Sequence, residues 1–108
     1  MQKEMLQELI SGILEILKED TVSIILYGSV ARGTATEESD VDIAVLIRQQ
    51  ISRETREQLD DFLGDLDLKY DKLFSVIDIT ENKFETWKNV IPFYQNVSRE
   101  GIVLWKAA

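Results

Sequence analysis

Near the start of the chain apolar residues recur at intervals of three and four. Leu6, Leu9, Ile10, Ile13 and Leu17 form one stripe, with Glu4, Glu8, Glu15 and Lys18 mostly outside it. That spacing predicts an amphipathic helix over residues 1–20. The period then changes. Residues 22–27 are apolar on both parities apart from Ser23, as in a central strand buried on both faces. Residues 41–47 alternate, with Val41, Ile43, Val45 and Ile47 on one face and Asp42, Ala44 and Leu46 on the other. Ser52 reads as a helix N-cap with Glu54 in the first turn, and Leu59, Phe62, Leu63 and Leu66 as that helix's buried stripe. Gly64 and the polar residues to Lys69 are expected to loosen its end. Residues 72–79 form a third strand rich in β-branched and aromatic side chains. Thr80 caps a short helix, Pro92 opens another with Phe93, Tyr94 and Val97 inward, and Gly101 ends it before a last strand over 102–105.

The order α-β-α-β-α-β-α-α-β predicts an α+β fold, a small mixed β-sheet with helices packed mainly on one face. No linker, repeat or low-complexity stretch divides the chain, so residues 1–108 are expected to form a single domain.

Composition narrows the chemistry. The chain has no cysteine and no histidine, which removes disulfides, thiolate or imidazole metal sites and the commonest general base. A metal here would be a hard cation on carboxylates. The net charge of −8 argues against direct nucleic-acid binding, which needs clustered Lys and Arg. The apolar runs are too short to span a membrane, and the first residues lack the apolar region of a signal peptide, so the expected location is cytoplasmic.

The candidate chemistry lies between the first two strands. Gly28 and Ser29 follow the first strand, and Gly28 permits close backbone approach while residues 29–32 can open a helix whose N–H groups attract phosphate. Arg32 could contact phosphate or pin the loop to a carboxylate. Ten residues after Ser29 come Asp40 and Asp42, two apart and so on one face of a strand, roughly 6.5–7 Å from each other along the chain. Such a pair can bracket Mg²⁺, which takes one or two carboxylates and completes its shell with water and substrate phosphates. A P-loop fails, because Thr34 and Ala35 stand where Lys and Ser or Thr are required. Taken singly, Gly-Ser is an ordinary turn and Asp-x-Asp an ordinary solvated strand start; the signal is their order and spacing.

In that order, Gly28-Ser29 followed by Ser39-Asp40-Val41-Asp42-Ile43 resembles the signature of the DNA polymerase β nucleotidyltransferase superfamily. With Ala31-Arg32-Gly33 and the closing segment 92–104, the small chain resembles its minimal nucleotidyltransferases (MNT). The resemblance implies a palm-like mixed sheet and Mg²⁺-dependent transfer of a nucleoside monophosphate, AMP from ATP. It places Asp40 and Asp42 as metal-binding and catalytic carboxylates, Gly28 and Ser29 at the triphosphate, and Arg32 at a motif position. Many members carry a third carboxylate on the next strand. Here Ser75 falls in that slot, Asp78 lies on the opposite face, and Asp71 shares the parity of Ser75 but lies near the strand's beginning.

Minimal members are commonly encoded beside a helical HEPN protein, which they neutralise as antitoxins, in some cases by attaching AMP to a toxin tyrosine. The resemblance therefore implies a HEPN partner and leaves room for a homo-oligomer. Trp87, Tyr94 or Trp105, if exposed, could serve as the docking surface, although core packing is the commoner fate of each aromatic. The rival class is a pseudoenzyme antitoxin acting by binding alone, which Ser75 favours. Modification of a small alcohol lacks a substrate domain here, and nucleic-acid polymerisation lacks a template-binding region.

Overall fold

The computed structural model describes residues 3–33 and 40–108. The chain runs α1 (Lys3–Leu17), a 3-10 turn (Lys18–Asp20), β1 (Thr21–Tyr27), α2 (Gly28–Arg32), β2 (Val41–Ile47), α3 (Arg53–Tyr70), β3 (Phe74–Thr80), α4 (Glu81–Trp87), α5 (Pro92–Glu100) and β4 (Ile102–Lys106). The strands form one sheet in the order β3-β2-β1-β4. β1 is antiparallel to both β2 and β4, whereas β2 and β3 are parallel and joined through α3. The sheet is thus mixed, as expected.

The two long helices cover one face. Met5, Leu9, Ile13 and Leu17 of α1 and Leu59, Leu63 and Leu66 of α3 close over Ile24, Leu26, Val41, Ile43, Val45, Ile47 and Phe74. The short helices cover part of the other face, where Phe84 of α4 and Val97 of α5 pack on Ile25, Ala44, Leu46 and Ile79. β2 is therefore buried on both sides over Ile43–Ile47, although its sequence alternates.

Details depart from the sequence pattern for local reasons. The buried stripe of α1 centres on Met5, Leu9 and Ile13, with Leu6 and Ile10 at its margin. Gly12 lies against the Phe62 ring, so closely that a Cβ there would collide with it. α3 does not loosen at Gly64 but continues to Tyr70. The stripe of Leu63 and Leu66 continues through that turn, and burying it outweighs the ~1 kcal/mol propensity cost of a helical glycine. Asp71 then caps α3 in the left-handed region at φ 51°, so β3 starts later than expected, at Phe74. The Asp67 carboxylate anchors that start, with Oδ1 accepting from the Phe74 amide at 2.8 Å. At the N-terminus of α3 the Ser52 hydroxyl accepts from the Thr55 amide, as its cap position predicts.

α1 is tied to α3 by Glu8, which accepts from Lys69 Nζ at 2.7 Å and from the Tyr70 hydroxyl at 2.8 Å. The Lys69 bond, then the Tyr70 bond, holds the Glu8 carboxyl below its ordinary value of 4.5. A carboxyl depressed by folding adds stability that is fully present above its unfolded pKa and is lost as pH falls through the folded one. Glu8→Gln should therefore lower the melting temperature by a constant amount above about pH 5. The gap should shrink as pH falls further, which thermal melts across pH 3–7 will show.

Candidate active site

Strand direction assembles the site. β1 ends where antiparallel β2 begins, so the turn after Tyr27 and the carboxylates that open β2 meet at one end of the sheet. Parallel β3 brings its own beginning to the same end. In register, Tyr27 faces Asp42 across β1 and β2, and Ser75 faces Asp42 across β2 and β3.

Gly28 opens α2 at φ 77°, a conformation that side chains rarely adopt. A Cβ on it would collide with Asp42 Oδ2. The carboxylate of Asp42 thus rests against the backbone of Gly28, which brings the turn and the acid together. Ser29 follows in the first turn of α2. Arg32, in the last turn, forms a half-exposed ion pair with Glu100 at 3.5 Å, fastening α2 to the end of α5. Its charge also reaches Asp42. Asp40 lies exposed just before β2, close enough for its charge to act on Asp42. Ser39 lies outside the described residues.

Among the described residues the charge of Asp42 is only partly balanced. Burial, then the neighbouring charge of Asp40, raises the Asp42 carboxyl above its ordinary value, while Arg32 only partly offsets them. Among the described residues no group of three or more acidic side chains could hold a metal. Two oxygen-donor side chains with mutual repulsion fit a hard divalent cation that keeps water and substrate ligands. They do not form a closed cage.

The neighbouring acids are placed elsewhere. Asp78 points to the helical face and accepts from Arg56 Nη2 at 2.6 Å. Asp71 is the cap of α3 rather than a strand residue, so strand parity does not direct its side chain. Ser75 is the side chain beside Asp42.

Tyr27 is a member of this site that the sequence pattern alone does not single out. Its phenol is raised by burial and by the Asp42 charge, and its ring packs edge-on against Phe93 with centroids 5.4 Å apart. Its position as the last strand residue before Gly28 was the available signal, since antiparallel pairing must set it opposite the start of β2. Of the three aromatics weighed as a docking surface against core packing, Trp87 is 45% exposed. Tyr94 packs against Phe84 and Phe93, and Trp105 against the α1 core.

The chain belongs to the Polymerase beta nucleotidyltransferase family, whose model matches residues 11–107. It is 36% identical over 74 residues to a protein of Methanocaldococcus jannaschii named putative protein adenylyltransferase, covering 68% of this chain and 75% of that one. In fold it is similar to spectinomycin adenyltransferase AAD(9) from Enterococcus faecialis, crystallised with ATP and spectinomycin. That match has a TM-score of 0.82 at 11% identity, over 100% of this chain and 57% of the other. It is similar also to a chain of the complex between the tri-AMPylated HEPN toxin of Shewanella oneidensis and its MNT antitoxin. There the TM-score is 0.54 at 19% identity, over 95% and 73% of the two chains. The protein is thus a nucleotidyltransferase by family and fold.

Gly28→Ala tests the geometry directly. Strain at positive φ should cost about 1–2 kcal/mol, measurable by urea denaturation. Displacement of the Asp42 carboxylate should also weaken nucleotide binding in calorimetric titration.

Proposed function

We infer that this protein transfers AMP from ATP to a hydroxyl of a partner protein, a helical HEPN toxin, and so acts as its antitoxin. The observation that carries this reading is the contact of the Asp42 carboxylate with the Gly28 turn. Gly28 and Ser29 would hold the triphosphate, with Arg32 at the flank, and Asp40 with Asp42 would hold Mg²⁺. When bound, Mg²⁺ would neutralise charge on the phosphates and hold them in place. The acceptor oxygen attacks the α-phosphorus, a P–O bond forms, and the bond to the leaving pyrophosphate breaks.

The acceptor's proton bears on the kind of acceptor. Ser75 beside Asp42 cannot take it at neutral pH, and Asp78 is on the other face in an ion pair with Arg56. A hydroxyl that ionises readily suits such a site, because a tyrosine at pKa ~10 gives its proton to water far more readily than an aliphatic alcohol does. Among the described residues, β3 is an edge strand beside Asp42, the side from which we propose the acceptor approaches. Ile77, two residues from Ser75 on the same face, is 40% exposed, and Leu73 just before the strand is 54% exposed. Apolar side chains beside the acids favour a polypeptide acceptor over a small polar one.

A second reading rests on Ser75 alone: the protein neutralises its partner by binding, without transfer. Intact-mass analysis of the partner after incubation with ATP and Mg²⁺ separates the two. Transfer predicts an AMP adduct that EDTA prevents. Asp40→Asn or Asp42→Asn should slow adduct formation at least about 100-fold, because several kcal/mol of charge stabilisation is lost. Neutralisation that survives the double substitution, with no adduct from the native chain, would establish the binding reading instead.

Ser75→Asp provides a test of the metal site that needs no partner. A third carboxylate beside Asp42 should lower the metal-free melting temperature by like-charge repulsion. Mg²⁺ should then raise it by more than it does in the native chain.

A further inference from the structure

A second cleft lies at the opposite end of the sheet, where Thr21 pairs with Ile47, roughly 20 Å along β1 from the acidic pair. Its volume is about 730 Å³, and Lys18, Thr21, Arg48 and Trp105 line it, with Leu14 and Glu19 beside them. Nucleotidyl transfer at the acidic pair makes no use of it, and the features that mark it are independent of that activity.

There are three such features. Thr21 is 1% exposed, and its Oγ1 is the one buried side-chain polar atom without a hydrogen-bond partner among the described residues. An unpaired buried hydroxyl opposes folding, and native proteins keep few of them. The charge balance is reversed there: two bases and one acid line the cleft, in a chain whose net charge is −8. Lys18 forms no ion pair among the described residues, and its backbone holds the left-handed region at φ 53°. Arg48 is anchored through Nε, which donates to the Glu19 carbonyl at 2.9 Å and so holds the guanidinium at the lining of the cleft. Finally, Trp105 is half-buried against the α1 core and gives the cleft an aromatic wall.

We propose that this cleft binds a small anion with a flat apolar body, of the mononucleotide class. The anionic group sits between Lys18 and Arg48, accepts from the Thr21 hydroxyl once that side chain turns toward the cleft, and leaves the planar body against Trp105. Guanidinium and ammonium groups supply the charge-assisted donors that such an anion takes, and tryptophan supplies the stacking surface. The site is separate from the acidic pair, so an occupant would sense the nucleotide pool without blocking the transfer site.

The test is nitrogen-15 correlation spectroscopy of the full chain, titrated separately with AMP, adenosine and inorganic phosphate. AMP should move the Trp105 indole N–H and the amides of Lys18, Thr21 and Arg48, and should bind there more tightly than adenosine or phosphate. Lys18→Ala with Arg48→Ala should weaken that response at least tenfold while leaving any response at Gly28–Arg32 as it was. Thr21→Val, which keeps the side chain's shape, should weaken it at least threefold. Shifts confined to the Gly28–Arg32 end would overturn the proposal. So would a far-end response that survives the double substitution, or phosphate binding as tightly as AMP. A Thr21→Val chain that melts higher and binds AMP unchanged would show the hydroxyl to be merely buried, and would also overturn the donor set.

Discussion

The antiparallel pairing of β1 with β2 is the constraint on which the candidate active site depends. Because the strands run in opposite directions, the turn that leaves one and the acids that enter the other cannot be far apart. Pairing alone does not set how closely they approach, and there Gly28 decides. A side chain on residue 28 would occupy the volume taken by Asp42 Oδ2, so the missing Cβ is the space in which the carboxylate sits. The same residue supplies the positive φ that turns the chain from strand into α2. One atom's absence thus serves the backbone turn and the side-chain contact together.

Much of this was legible because several signals agreed at each point. β2 was readable to the residue, since alternating apolar positions were bounded by acids on one side and polar residues on the other. Ser52 and Pro92 marked helix starts through chemistry that belongs to those positions alone. Gly64 misled because a glycine's local preference is small beside the burial of Leu63 and Leu66, and only packing reveals which prevails. The aromatics show the same limit. Trp87, Tyr94 and Trp105 look alike in sequence, and their different exposures depend on where α4, α5 and β4 land on the sheet. The adjacency of Ser75 and Asp42 is a matter of register, which periodicity does not encode; the family resemblance puts Ser75 in the third-carboxylate slot, and the strand pairing sets it opposite Asp42.

Ser75 changes the electrostatics beside Asp42. Asp42 already carries an unfavourable burden from burial and from Asp40, relieved only in part by Arg32. A third acid in register beside it would add to that repulsion in the metal-free protein. The chain avoids the conflict by placing a neutral hydroxyl there and by turning its nearest strand acid, Asp78, to the opposite face against Arg56. That ion pair is short and partly shielded, so Asp78 is committed to holding α3 on β3. Freeing it for chemistry would leave a guanidinium without its partner.

The division of labour between the two sheet faces explains how so small a chain presents its acids. α1 and α3 bury nearly the whole of one face and are cross-tied by Glu8 with Lys69 and Tyr70. That face carries the stability. Among the described residues the opposite face is covered where α4 and α5 reach, over Ile25, Ala44, Leu46 and Ile79, and through Phe93 at Tyr27. Beyond them Ser75, in register with Asp42, and Ile77, two residues further along edge strand β3, have no covering helix among the described residues. Longer helices there would stabilise the sheet and close off the acids from any large acceptor. The brevity of α4 and α5 is therefore what a hydroxyl carried on another protein would require to reach Asp42 from the β3 side.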